Sequence, residues 1–289
     1  MVAMLMDRPN LSINEAANHW RSTLHMEHDE VIARTKAQKI IEACASQSIY
    51  ILSIADSEYP PRLRLIKDAP PIIYVKGSIA ALGKTGCAVV GTRKASELGL
   101  KLARRIAKVL AGKGFSTISG LALGIDAAAH AGAVDAMGVT VAVLAHGLDT
   151  VAPSSNRKLA DKILESGGAL VSEHEPGVPP RPAEFVRRNR IQSGMALCSI
   201  IVESAKEGGS IHQARFTKEQ GRPILAVLPE LQNSATNGFN SEGGEYLVHD
   251  LGAIPLRTAE QLEQFVNRFI DNERKSDSAL DGPQMSFRL

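Results

Sequence analysis

Short apolar runs alternate with amphipathic stretches through the middle of the chain. The runs are Ile72–Val75, Cys87–Val90, Phe115–Ile118, Val139–Leu144, Ala169–Val171, Ser199–Val202 and Ile224–Val227. They are continuous and rich in β-branched residues, as strands covered on both faces are. Helical spacing occupies the intervals near 95–112, 124–137, 156–166, 209–220 and 245–251. Strands alternating with helices predict an α/β fold built on a doubly wound, mostly parallel sheet. Residues 1–55 read as a small helical module, with one rough apolar stripe at Leu11, Ala16, Ala17, Trp20 and Leu24 and another at Val31, Ile32, Ile40 and Ile41. That is too little apolar material for a separate core. The sheet domain is expected over 56–257. Beyond it, at 258–289, Leu262, Phe265, Val266 and Phe269 predict an amphipathic helix, followed by a polar, loose tail from 271.

Charge and composition narrow the function. Lys plus Arg number 33 and Asp plus Glu 31 among 289 residues. The near balance excludes a generally basic, histone-like binder, so any nucleic-acid affinity must come from local clusters. Aromatic residues make up only 4 %, few for a protein that holds single strands mainly by stacking. Cys44, Cys87 and Cys198 are far apart and lack zinc-ligand spacing. That fits a reducing cytoplasm and no structural metal. The opening MVAMLMDRPN has no secretory pattern and no run of apolar residues is long enough for a membrane span, so no membrane attachment is expected.

In open α/β sheets ligands bind beyond the carboxyl ends of the strands, so the loops there are the candidates. Gly91-Thr92-Arg93 follows the second run: a glycine that lets backbone N–H groups approach an anion, then a planar guanidinium suited to phosphate. Ser119-Gly120-Leu121-Ala122-Leu123-Gly124-Ile125-Asp126 opens a helix with small residues. It lacks the G-x-G-x-x-G dinucleotide pattern, and tight helix–sheet packing explains it as well as phosphate binding does. Gly83-Lys84-Thr85 lacks the preceding glycine and following helix of a P-loop. Residues 181–190, RPAEFVRRNR, set four arginines against one Glu, with Phe185 among them. Phosphate suits such a cluster, and acidic protein neighbours are the alternative. Lys101, Arg104, Arg105 and Lys108 share one helical face, read as a solvated one. Glu203–Ser210 is another glycine-rich strand end. His130 reads as packed; His146 with Asp149 is a weak acid–base candidate.

Taken in order, these stretches resemble the DprA/Smf family (DNA processing protein A). The resemblance rests on Tyr59-Pro60-Pro61-Arg62-Leu63, Pro70-Pro71-Ile72-Ile73-Tyr74-Val75-Lys76-Gly77 and Val90-Gly91-Thr92-Arg93. It continues through Ser119–Asp126 with Ala129-His130, Gly147-Leu148-Asp149, Asn156 with Leu159, Ser172-Glu173-His174, Phe185–Ile191 and Gly209-Ser210. The resemblance implies an extended Rossmann-like fold, single-stranded DNA binding, a homodimer, and help in loading the recombinase RecA, without an enzyme's chemistry or a cofactor. It implies nucleic-acid contacts at Arg93 and at Arg157 or Lys158. With the residue-level reading, the expected interface is Gly91, Thr92, Arg93, Ser119, Gly120, Asn156, Arg157, Lys158, Arg187, Arg188, Asn189 and Arg190.

Departures are visible. Ala152-Pro153 stands where the family has Tyr-Pro, Gly208–Ala214 replaces a Ser-Gly-Ser-x-x-Thr-Ala loop, and Leu228-Pro229-Glu230 replaces Val-Pro-Gly. Too few residues follow the sheet for the winged-helix domain that many members carry. A regulator or antitoxin-like component of a defence locus is therefore an alternative role. An enzyme of the LOG type, a nucleotide phosphoribohydrolase, is a second. Its P-G-G-x-G-T-x-x-E loop would fall at Glu207–Ala214, which lacks the proline and the acid–base Glu.

Overall fold

The computed structural model describes residues 27–229 and 238–280, with side chains over 31–229 and 238–270. The chain divides into two compact units, 1–47 and 48–289. In the first, helix α1 spans Glu27–Ser46. Its Val31, Ile32 and Ile41 are exposed, so the second predicted stripe is not a buried face. The Leu11–Leu24 stripe lies outside the described residues.

The second unit is a nine-stranded sheet flanked by helices on both faces. Its strands are β1 (Ile49–Ser53), β2 (Ile72–Gly77), β3 (Gly86–Val90), β4 (Ser116–Ser119), β5 (Thr140–Leu144), β6 (Ala169–Ser172), β7 (Ser199–Ile201), β8 (Ile224–Val227) and β9 (Ile254–Leu256). The helices are α2 (Pro61–Arg64), α3 (Glu97–Gly112), α4 (Ile125–Asp135), α5 (Arg157–Glu165), α6 (Pro182–Met195), α7 (Gly209–Glu219), α8 (Glu242–Leu251) and α9 (Ala259–Leu280). Strand order is β1-β2-β6-β5-β4-β3-β7-β8-β9. β2 runs antiparallel to both β1 and β6, and the seven strands from β6 to β9 are mutually parallel. The expected doubly wound, mostly parallel sheet is therefore present.

Period-2 alternation sends successive side chains of one strand into different cores. In β3, Cys87 and Val89 join Ala103, Ile106 and Leu110 of α3 and Val266 of α9 on one face. Ala88 and Val90 face the other side, Ala88 with Ile191 of α6 and Val90 with Ile211 of α7. Because both faces are covered, the strands read as continuous apolar runs.

The sequence pattern misses four elements, one of them the single-turn helix α2. β1 lies inside the stretch assigned to the N-terminal helical module, so the sheet unit begins at Ser48 and not at 56. β9 is three residues long and contains Pro255, which demotes any strand signal. α6 carries buried Arg188, Arg190 and Gln192, so polar residues sit on its inner face and mask the helical period. The predicted tail is also partly helical, since α9 continues to Leu280.

The chain starts its parallel sheet at β3, builds outward through β4, β5 and β6, then returns to lay β7, β8 and β9 on the opposite side of β3. The connections leaving β3 and β7 therefore diverge, and a crevice opens at the carboxyl ends of these two neighbours.

Candidate nucleic-acid interface

The crevice is occupied by a cleft of about 510 Å³. Gly91, Thr92 and Arg93 after β3 form one side. Ser204 and Gly208, between β7 and α7, with Gly209 and Ser210 at the start of α7, form another, and α6 closes the cleft with Phe185, Arg188, Asn189 and Gln192. The backbone is tightly wired. Thr92 N–H donates to Glu203 O at 2.7 Å, and Ile125 N–H donates to Thr92 O at 3.2 Å. The buried Glu203 carboxylate accepts from Ser96 N and Oγ, both at 3.0 Å, and from Asn240 N at 3.1 Å. It thus ties the loop that carries Arg93 to β7 and to the start of α8.

The Arg93 side chain is exposed. Its guanidinium lies over the Phe185 ring, 5.2 Å from the centroid. Among the described residues it forms no ion pair. Arg188 is buried in the floor. It donates to Gly120 O at 3.1 Å and, through a short contact, to Val143 O. Burial pulls its guanidinium down to about 10; the nearby Asp126 charge opposes this and the Arg93 charge adds to it. Asp126 accepts from Gly120 N–H at 3.1 Å. Burial pushes its carboxyl up, while Arg188, the N–H groups of Ala122 and Gly120 and the Ser119 hydroxyl pull it back.

Two glycines are required by this geometry. A Cβ on Gly120 would sit 2.6 Å from Arg188 Nη2 and Gln192 Nε2, and Gly124 has φ +75° with Thr92 O where its Cβ would be. Gln192 Nε2, buried beside the cleft, has no acceptor among the described residues.

The expected interface residues divide by location. Gly91, Thr92, Arg93, Arg188 and Asn189 line one cleft. Ser119 and Asn156 are buried and engaged in the fold. Ser119 Oγ donates to Val89 O at 2.7 Å, and Asn156 Nδ2 donates to Leu121 O at 2.8 Å and Ala122 O at 3.2 Å. Asn156 thereby holds the loop at Leu121, whose φ is +56°. Arg190 is held by acidic neighbours: its guanidinium lies 2.7 Å from Glu173 Oε2 and 3.0 Å from Asp68 Oδ2, the alternative reading of the arginine cluster. Arg187 is exposed, 4.0 Å from Glu173. Arg157 and Lys158 are exposed on the first turn of α5, and Lys158 lines a neighbouring groove. Phe185 was visible in the sequence among the arginines and Ser204 within the glycine-rich strand end at 203–210, whereas Gln192 carried no signal there.

The histidine readings separate likewise. His130 Nδ1–H donates to Thr140 Oγ1 at 2.7 Å, and that hydroxyl donates onward to Thr117 O. Burial, with a smaller push from Arg188, lowers His130 to about 3, as a packed neutral imidazole requires. His146 Nδ1 bonds Gly147 O and its Nε2 accepts from Ala152 N–H, while Asp149 accepts from Gly177 N–H. They are not an acid–base pair. Among the described residues Glu173, His174 and Glu184 place potential metal-ligand atoms within 4.8 Å, but Glu173 is held by Arg190 and His174 by Glu184 at 3.1 Å.

The sequence matches the DNA recombination-mediator protein A family over residues 50–267. The chain belongs to this family. Family relatives include protein Smf of Escherichia coli, 42 % identical over 72 % of this chain and 54 % of its own length. DNA processing protein DprA of Bacillus subtilis is 35 % identical over 70 % and 68 %. The chain thus spans about half the length of the first and two thirds of the second. The crystallographic family member from Streptococcus pneumoniae superposes with TM-score 0.67 at 33 % identity, covering 75 % of this chain and 74 % of that one. DNA processing protein A from Helicobacter pylori, whose structure concerns its single-stranded DNA binding mode, shares the fold. Its TM-score is 0.66 at 24 % identity, with coverage of 78 % and 96 %.

Proposed function

We propose that this family member binds single-stranded DNA through its phosphates in the switch-point cleft and serves DNA processing in recombination without catalysing a reaction. One observation carries the reading: the exposed guanidinium of Arg93 and the buried one of Arg188 line the same cleft, against the single carboxylate of Asp126 in its lining. A cleft with more cations than carboxylates favours an anion as its ligand. The N-terminus of α7 at Gly208–Ser210 adds backbone N–H groups and the positive end of a helix dipole, and Gln192 Nε2 offers a donor without an acceptor among the described residues. Phosphate contacts of this kind carry no base identity, so binding is sequence-tolerant. The H. pylori relative's single-stranded DNA binding supports the same ligand.

The contact set we propose is Gly91, Thr92, Arg93, Arg188 and Asn189, with Arg187 and Lys158 as outer charges. Ser119, Gly120 and Asn156 shape the loop. A strand held this way is protected and presented, and we propose RecA as the recipient and a homodimer as the working form. The test is a titration of fluorescent oligothymidylate and duplex against rising salt. Preference for the single strand, with affinity falling as salt rises, is expected; equal duplex affinity refutes the proposal. Hydrolysis of nucleoside monophosphates in a parallel assay would favour the phosphoribohydrolase reading. Light scattering that gives the mass of one 30.9 kDa chain at all concentrations would refute the dimer.

A further inference from the structure

We propose that Glu173, His174 and Glu184 form a binding site for a zinc ion, which fastens the first turn of α6 to the end of β6. Each of the three side chains offers one ligand atom, and these atoms lie within 4.8 Å of one another. They come from two elements: Glu173 and His174 follow β6 directly, and Glu184 stands in the first turn of α6. None of them lines the cleft.

The spacing suits tetrahedral coordination. Zinc bonds of about 2.0–2.1 Å to nitrogen and carboxylate oxygen set neighbouring ligand atoms about 3.3 Å apart. His174 Nε2 and Glu184 Oε2 already stand 3.1 Å apart, so an ion takes the place of the hydrogen between them with almost no movement. Glu173 needs a short side-chain adjustment to join them. Its two oxygens are held unequally. Oε2 accepts from Arg190 Nη2 at 2.7 Å, whereas Oε1 receives a 3.3 Å contact from Arg190 Nη1 and lies 4.0 Å from Arg187 Nε. Oε1 is thus the freer oxygen for an ion, and Arg190 at Oε2 orients the carboxylate as an outer partner does. Arg190 also divides its charge with Asp68, 3.0 Å from its Nε, which lessens its opposition to a cation at Glu173.

The turn that carries two of the ligands is held independently of any ion. His174 N–H donates to Ser172 Oγ at 3.0 Å, and the buried Ser172 hydroxyl donates to His146 O at 2.7 Å. The side chains of Glu173, His174 and Glu184 are 11 %, 19 % and 21 % exposed, which limits competition from water and still leaves a path of entry. A groove of about 520 Å³ beside α6 reaches Glu173 and gives room for a water as fourth ligand. One imidazole with two carboxylates selects Zn²⁺ over Mg²⁺, which prefers an octahedral shell of oxygens. Glu184 immediately precedes Phe185, on whose ring Arg93 rests, so an ion here steadies one wall of the cleft. That consequence, unlike the ion site itself, rests on the reading of the cleft as a single-strand site. A plain ion-pair network among the same residues is the competing account.

Calorimetric titration of the full chain with zinc chloride, without DNA, tests the site. The wild type is expected to show a zinc-binding step that equal Mg²⁺ does not suppress. His174→Gln and Glu184→Gln should each weaken that step at least roughly tenfold, as loss of a ligand costs no less than loss of an outer partner. His249→Gln, at an exposed position on α8, should leave it unchanged. Melting curves without zinc verify that each variant folds, and added zinc should raise the melting temperature of the wild type but of neither ligand variant. If zinc binds both ligand variants as it binds the wild type, or binds the wild type not at all, the three side chains are an ion-pair network only and the proposal is overturned. Saturating zinc should also raise the oligothymidylate affinity of the wild type about fivefold, the low end of usual coupling between two sites, and leave that of Glu184→Gln constant. Zinc binding without this rise overturns the link to the cleft. A wild type that binds zinc but no oligothymidylate refutes the reading of the cleft and upholds the ion site.

Discussion

The guanidinium of Arg93 rests on the ring of Phe185, 5.2 Å from its centroid, across the mouth of the switch-point cleft. One residue comes from the loop after β3 and the other from the first turn of α6, so the stacking joins the two walls. A ring beneath the guanidinium limits its motion and leaves its in-plane N–H donors unused by the stacking.

Arg93→Ala is therefore expected to lose about 1.5–3 kcal/mol of single-strand affinity, the range for charge-assisted hydrogen bonds. Arg93→Lys should recover part of it, because the charge returns without the planar fork. Phe185→Leu should lose less, about 0.5–1 kcal/mol, since it removes only the cation–π support. Fluorescence anisotropy reads all three, alongside melting curves. An unchanged affinity with a lowered melting temperature in Arg93→Ala would assign that arginine to the fold.

Arg190 predicts the opposite pattern. Its side chain is 6 % exposed between Glu173 and Asp68, and Glu173 is 11 % exposed. Arg190→Ala leaves the largely buried Glu173 carboxylate without its close cation, with only the exposed Arg187 at 4.0 Å. The expected cost is about 2–4 kcal/mol of stability, below the upper range for a fully buried pair because Asp68 remains solvated. Urea unfolding measures this, and DNA affinity of the folded variant should stay at the wild-type level.

Gly124→Ala tests the packing of the Ser119–Asp126 loop on the Arg93 turn. At φ +75° a side chain is strained, and its Cβ would meet Thr92 O at 2.4 Å. Stability should fall by about 1–3 kcal/mol. Because the atoms that must move belong to the Arg93 turn, single-strand affinity should fall with it, measured below the melting temperature. A destabilised variant with wild-type affinity would separate the turn from binding.

His130 sets a pH dependence. Its folded pKa, about 3, lies below the ordinary 6.5. The unfolded chain then binds more protons between these values. The stability associated with neutral His130 is complete above 6.5 and is lost as pH falls from there toward 3. Between pH 7 and pH 5 the loss from this group should be roughly 1–2 kcal/mol. Urea unfolding of the wild type and His130→Gln at both pH values checks it. The variant should be less stable at pH 7 and show a smaller drop; an equal drop would place the dependence on other groups.

The parallel strands were legible because burial on both faces leaves continuous β-branched runs, which local sequence displays. The glycine-and-arginine turn at 91–93 was legible for a similar reason: its chemistry is local, and the rule that ligands sit beyond strand ends gave it a place. The sequence by itself thus determined the α/β class and placed Arg93 at a strand end that borders the cleft. Tertiary structure decided which arginines of 181–190 are available. Helical geometry turns Arg188 inward to Gly120 and Val143, and Arg190 toward Glu173 and Asp68, while the exposed Arg187 stays within 4.0 Å of Glu173. Those partners are distant in sequence, so no local pattern encodes them. It also decided that β3 and β7 are neighbours, and only that adjacency brings Arg93, Phe185 and the start of α7 around one cleft.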